Sequence, residues 1–429
     1  ENIWGHILLR SVLDRETNAP FFMPDTSIIT GATTMFKRLR VAAIITIYHP
    51  KSHADVIVTK FLKGMSTDEG FLAPEIDIVS IYLDHVLEND IGVGLAEEYG
   101  VPIYPSIRRA LHAGADELNV DAVLLVGEHG DYPWNERGRH MYPRRYFFEQ
   151  IAGVFGESGR SVPVFNDKHF AYDFNDAQWV WNRAQELGIP LMAGSSLPLC
   201  WRNPFTEYEK DTNVEEALSI GYGGIEAYGY HALETMQCMI ERRAGGEKGV
   251  KSVQCLEGEA VWQASRDGLW SRELANAAIG AIVNKPDGPM EDHVKEPAVF
   301  LIEYADGLKA ATLMLSGYMQ EFAYAARVNG TVHGVEFFLQ NEGPFAHFSY
   351  LCQNIQRFFA SGQAPYPPER TLLTTGIIDA VMNSRYAGHR RVETPYLNIA
   401  YTSYDALPAR PIGTRPQGVC VDPQTADII

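Results

Sequence analysis

Three short stretches of this chain gather side chains able to move protons. Asn166-Asp167-Lys168-His169 sets a primary amine beside a carboxylate and an imidazole, directly after the apolar run at 162–165. A lysine at the end of such a run suits a general base or an electrostatic clamp. The plainer reading is a salt bridge with Asp167 or Asp173. Glu128-His129-Gly130-Asp131 follows a second apolar run, 121–126. Glu128, His129 and Asp131 make an oxygen and imidazole donor set that suits Mn, Zn or Fe, with His140 and Glu226 able to complete the shell. The alternative is a hydrogen-bonded loop closing over a cleft. His231 offers an imidazole whose ordinary pKa lies near working pH, as an acid–base partner needs; against that stands a buried histidine bonded to a backbone carbonyl.

A segment rich in charge and aromatic residues, 127–150, joins the second of these stretches to a helix. It is too long for an ordinary strand-to-helix loop. Its Arg137, Arg139, Arg144 and Arg145 suit a bidentate grip on a carboxylate or phosphate. Trp134, Tyr132 and Tyr142 suit stacking on a sugar ring. A solvated basic patch, a subunit contact, or simple packing of the insert would use the same residues. Trp179 and Trp181 sit in a helical pattern and read as core or interface.

The elements that must position these groups alternate. Residues 40–48 form a near-continuous apolar run, the mark of a strand buried on both faces. Further strands are expected at 75–83, 101–104, 121–126, 162–165 and 189–193. Helices are expected between them at 54–63, 89–99, 107–113, 146–155 and 177–187. This alternation predicts a Rossmann-like, doubly wound parallel sheet, whose ligands bind outside the carboxyl ends of the strands. After Arg202 the pattern changes to period-two stretches at 250–256, 298–304, 310–315, 325–329 and 335–339, with Asp306-Gly307 as a hairpin turn. Helices are expected at 235–243, 349–361 and 375–386. The second half therefore reads as a large, mostly antiparallel, open-faced sheet. The division is an extension at 1–38, a nucleotide-binding domain at 39–202, a substrate and oligomerisation domain at 203–405, and a tail at 406–429. An open sheet with one apolar face argues for a homo-oligomer packed through it.

The chain has 429 residues, 46% of them hydrophobic and 21% charged, with a net charge of −18. That balance excludes nucleic acid or an anionic membrane as the main partner, since both need a basic footprint. Five scattered cysteines with no C-x-x-C pair exclude a disulfide framework and a zinc ribbon. The expected compartment is the reducing cytoplasm; the chain starts at Glu1, which leaves room for a removed leader. No apolar run is long enough to span a bilayer.

Taken together, residues 40–402 resemble the Gfo/Idh/MocA family of glucose–fructose oxidoreductase and inositol dehydrogenase relatives. Asn166-Asp167-Lys168-His169 stands where that family carries Glu-Lys-Pro, whose lysine sits between nicotinamide and substrate. Gly223-Gly224-Ile225-Glu226-Ala227-Tyr228-Gly229-Tyr230-His231 matches the glycines and histidine of the family's second motif. Three departures stand out. Thr46-Ile47-Tyr48-His49-Pro50-Lys51-Ser52-His53 replaces the Gly-x-Gly-x-x-Gly turn. Ala227 replaces the aspartate four residues before the histidine, leaving Glu226 adjacent. His169 replaces the proline after the lysine.

What the resemblance implies is an oxidoreductase using NAD or NADP on a sugar, polyol or related hydroxy compound. Lys168, His231 and Glu226 would be catalytic. The cofactor would contact Tyr48, Lys51, Ser52, His53, Asp84 and Glu128. The carbohydrate-like substrate would meet His129, Asp131, Trp134, Arg144, His169 and Arg202. The departures favour an alternative on the same scaffold: a non-redox lyase or hydrolase with a divalent metal at Glu128, His129 and Asp131, nicotinamide binding having been lost. A silent binding module is the third reading, opposed by the crowding of polar groups at the expected cleft.

Overall fold

The computed structural model describes residues 38–416. The expected extension up to Lys37, and the tail beyond residue 416 with Cys420, lie outside them. Six strands form one all-parallel sheet: Leu39–Ile45, Ile76–Leu83, Ile103–Tyr104, Ala122–Val126, Val164–Asp167 and Leu191–Gly194. Counted by order in the chain they lie 3-2-1-4-5-6. The winding reverses between the first strand and the fourth, and a crevice opens outside the carboxyl ends at that point.

The sequence makes these elements by ordinary means. Ala122–Val126 is buried throughout because helices cover both faces of the sheet. The helix His53–Lys63 starts at Ser52, whose Oγ accepts the Asp55 amide at 3.3 Å. Asp55 in its first turn and Lys60 and Lys63 in its last complement the helix dipole. The helix Phe174–Glu186 is capped by the Asp173 side chain on the Asn175 amide at 2.9 Å.

A second, eight-stranded sheet runs in the order Val392–Glu393, Val250–Glu257, Ala298–Tyr304, Lys309–Met314, Val214–Gly221, Phe322–Val328, Thr331–Phe338 and Trp201–Asn203. Every pair is antiparallel except Val214–Gly221 with Lys309–Met314. Helices Ala227–Ile240 and Glu369–Tyr386 pack on one face. Helix Ala346–Ser361 returns to the first half and lies on His53–Lys63, where Cys352 and Ile355 join the core of the parallel sheet.

Two expectations about this half need correction. Its other face is not open. Leu218, Ile220, Val299, Leu313, Ala323 and Ala325 point there and are covered by Trp262, Leu274, Ala275 and Ala278 from helices Glu259–Arg266 and Arg272–Ala281. The apolar surface that argued for a second subunit is thus buried within the chain. Val214–Gly221 was also missed. Its acidic start, Val214-Glu215-Glu216, hides a strand that lies inside the sheet rather than at an edge.

Cys200, Cys238, Cys255 and Cys352 are free and buried. Among the described residues, no helix is long and apolar enough to cross a membrane.

Candidate active site

Lys168 directly follows the fifth parallel strand and Glu128 lies just past the fourth, so neighbouring carboxyl ends bring them together. Lys168 Nζ lies 3.0 Å from Glu128 Oε1, and both side chains are about 4% exposed or less. Arg144, at the start of helix Arg144–Ser158, grips the other oxygen of Glu128. Burial alone would raise the Glu128 pKa, but Lys168 and Arg144 hold its carboxyl well below the usual range. The expected salt bridge to Asp167 or Asp173 is not formed. Asp167 instead holds His53 Nδ1 at 2.6 Å, and Asp173 accepts from Arg139 at 3.1 Å.

Lys168 is held in a left-handed conformation, with φ of 65°. Its amide donates to the carbonyl of Gly194 at 3.1 Å, which ties the lysine loop to the end of the sixth strand. Gly194 is needed there. Its φ is +124°, and an added Cβ would stand 2.8 Å from Glu234 Oε2 and 3.0 Å from Thr371 Oγ1. The next residue, Ser195, brings its Oγ within 2.6 Å of His231 Nδ1. Hence the lysine and the histidine are joined through one short turn. Burial, then the charge of Lys168, holds the His231 pKa well below its usual value, so the imidazole is neutral at neutral pH. Among the described residues its Nε2 makes no hydrogen bond, which leaves that atom to exchange a proton with a ligand.

His169 and Glu226 extend the array toward the second domain's helix. His169 Nε2 lies 3.2 Å from Arg144 Nη1 and 3.4 Å from Glu226 Oε1. Burial, then Arg144, lowers the His169 pKa, so the ring is a neutral acceptor for the guanidinium. Among the described residues His169 Nδ1 and His129 Nε2 are buried without hydrogen-bond partners. Groups of that kind mark where a bound ligand would complete the bonding.

The first strand's turn is built differently from a phosphate cradle. The Lys51 amide donates to Asp55 Oδ2 at 2.7 Å, the Ser52 amide to the His49 carbonyl at 3.0 Å, and the Asp55 amide to Ser52 Oγ. Tyr48 is buried, its hydroxyl on Thr59 Oγ1 at 2.8 Å and its ring against Gly92, where any Cβ would come within 2.7 Å. Asp84 accepts from Tyr82 at 2.5 Å and Tyr132 at 2.6 Å, one on each oxygen. In the turn as folded, the amides of Lys51, Ser52 and Asp55 are taken by Asp55, His49 and Ser52, so those three are not free for a pyrophosphate.

The structure therefore gathers Lys168, Glu128, Arg144, His169, Glu226 and His231, with His53 and His129 alongside. The rings of His53 and His129 are 5.2 Å apart, and those of His49 and His129 5.7 Å. It does not gather the rest. Asp131 is exposed, and Trp134 is 61% exposed and stacked on His140 at 4.3 Å. Arg202 pairs with Glu207 at 3.1 Å near the far end of helix Ala227–Ile240. The metal set Glu128, His129 and Asp131 fails because Lys168 and Arg144 already engage the Glu128 carboxylate. Among the described residues the donors that converge within 4.8 Å are those of Cys255, Glu257 and His389, in and beside the second sheet. Apart from Arg144, the insert's arginines serve packing. Arg139 is buried on Asp379 and Asn383, Arg137 bonds Asn383, and Arg145 lies over Trp179 at 3.4 Å. Sequence reasoning passed over Ser195 and Glu234, and it read Asp167 as a partner of Lys168 rather than of His53. The signal for Asp167 was a carboxylate at a wholly buried strand end with a histidine available at a helix start.

No family model and no curated protein matches the chain. Solved structures do. GenD2 from gentamicin A biosynthesis, in complex with NAD, aligns with a TM-score of 0.54 at 16% identity over 84% of this chain and 97% of that one. Scyllo-inositol dehydrogenase from Lactobacillus casei, with NAD(H) and scyllo-inositol, aligns at 0.52 with 11% identity over 83% and 99%. Myo-inositol 2-dehydrogenase from Lactobacillus plantarum aligns at 0.51 with 12% identity over 83% and 99%. The chain thus has the two-domain fold of Gfo/Idh/MocA-type NAD-dependent oxidoreductases. At these identities the likeness speaks for the fold.

Proposed function

We propose that this chain is an enzyme acting on a small, hydroxyl-rich, carbohydrate-like compound, in the oxidoreductase class of its structural neighbours. The observation that carries the reading is the pairing of a buried lysine with a neutral histidine across one turn at the sheet's carboxyl edge. His231 Nε2 takes up or returns the proton of a substrate hydroxyl, while Ser195 fixes the ring through Nδ1. Lys168, held in place by Glu128, steadies the charge that grows on the substrate oxygen. A nicotinamide cofactor, when bound, would accept the hydride.

The closed turn at Tyr48–Ser52 favours a second reading, a non-redox lyase or hydrolase that uses the same lysine and histidine without a dinucleotide. Thermal shift with NAD and NADP, followed by a polyol and sugar panel with absorbance at 340 nm, separates the two. A cofactor shift with substrate-dependent reduction supports the oxidoreductase. Turnover of a keto-sugar or glycoside with no cofactor response supports the second reading. No turnover of either kind, with wild type and Lys168→Met alike, removes both.

A further inference from the structure

A cavity of about 30 Å³ lies at the carboxyl end of helix Ala227–Ile240, ten residues and hence ~15 Å along the helix from His231. Such a space holds about two waters, or a small oxyanion. Four guanidinium groups line it, those of Arg202, Arg242, Arg370 and Arg410, against two carboxylates, Glu207 and Glu241. Glu241 takes Arg370 in a two-point grip at 2.8 and 2.6 Å. Glu207 takes both Arg202, at 3.1 Å, and Arg410. Among the described residues Arg242 forms no ion pair with a carboxylate and bonds instead the carbonyls of Tyr208 and Tyr404 and the hydroxyl of Ser403. The lining therefore carries two positive charges more than negative ones. Glu234, whose charge also reaches Arg370, does not line the cavity, and burial raises its pKa.

The donors are also left over. Among the described residues Arg202 Nε, Arg370 Nη1 and Arg410 Nη1 are buried with no hydrogen-bond partner, and all three side chains are 5% exposed or less. Unbalanced buried charge is costly in any folded protein. Burial, reinforced by the neighbouring charge of Arg202, lowers the Arg410 pKa to about 8, the response of one buried cation beside another. Each guanidinium is a planar fork suited to two oxygens of one anion.

We propose that this cavity binds a small oxyanion of the phosphate or sulfate type, which takes the three free guanidinium donors and fastens the segment carrying Tyr404 and Arg410 to the body of the protein. The site is separate from the Lys168 crevice and stands whether or not the proposed activity does. Its size favours a free ion; the terminal phosphoryl group of a sugar phosphate has the same chemistry.

Isothermal titration and thermal shift on the full chain, with sodium phosphate, sodium sulfate, glucose 6-phosphate and sodium chloride at matched ionic strength, test it. Phosphate or sulfate should raise Tm saturably where chloride does not. A response to glucose 6-phosphate as well identifies a phosphoryl group as a ligand, and its absence identifies the free ion. Arg410→Met should weaken binding at least tenfold. Glu207→Gln, which adds net positive charge, should tighten it several-fold, and so decides the matter if Arg410→Met does not fold. Equal shifts with chloride and phosphate, or affinity unchanged in Arg410→Met or unchanged or weakened in Glu207→Gln, would overturn the proposal.

Discussion

Replacing Glu128 by glutamine removes the one carboxylate that two buried cations share, Lys168 at 3.0 Å and Arg144. Breaking a buried ion pair from one side costs about 3–5 kcal/mol, because the remaining charge stays desolvated. Glu128→Gln belongs at the upper end, since it strands two cations. Lys168→Met should cost less, since Arg144 still balances Glu128. The double variant should recover part of the loss, giving a coupling energy of about 1–3 kcal/mol. With roughly 380 described residues at about 2.1 cal/mol/K each, a loss of 4 kcal/mol lowers Tm by about 5 °C. Urea unfolding followed by circular dichroism, alongside calorimetry, reads both quantities. Strictly additive single losses, or a Lys168→Met more damaging than Glu128→Gln, would refute the assignment of Glu128 as the shared counter-ion.

Other outcomes follow from the same geometry. Burial, then His53, lowers the His129 pKa to about 3, so between that pH and about 6.5 the unfolded chain binds a proton the folded one does not. Stability contributed by His129 is therefore complete above about pH 6.5 and falls by about 1.4 kcal/mol per pH unit below it. His129→Gln should flatten the stability–pH curve by that slope in denaturant titrations from pH 6.5 to 4; an unchanged slope contradicts the burial of the ring. Gly194→Ala forces a Cβ onto Glu234 and Thr371 at an unfavourable φ. It should cost about 2 kcal/mol or more, and should impair activity through the lost Lys168–Gly194 bond; a neutral effect on both would show that the turn is not needed.

Much of the fold was legible because its strands and helices obey separate periods. All six strands of the parallel sheet were found within a few residues, since continuous apolar runs such as Ala122–Val126 have no other use in an alternating chain. The covering helices on the second sheet were not found. Glu259–Arg266 and Arg272–Ala281 are short and polar on one side, and nothing local says that they lie on that sheet. The site was legible where a residue stands at a strand end, as with Lys168 and Glu128. It was misread where composition was taken for position. Trp134 and Asp131 look like ligand contacts in sequence, yet they face outward on a loop anchored by the half-buried Tyr132 and the buried Arg139. The left-handed conformations of Lys51, His129 and Lys168, on three neighbouring carboxyl-end loops, carry no sequence signature because none of the three is glycine.

The most direct measurement is turnover by wild type, Lys168→Met, His231→Gln and the double variant, on whichever polyol or sugar the panel identifies, with folding verified by calorimetry. Acid–base groups acting on one substrate should each cost about 10²–10⁴-fold in kcat/KM, with a double loss well short of the product of the two. Full activity in either folded single variant would show that proton transfer occurs elsewhere in the molecule.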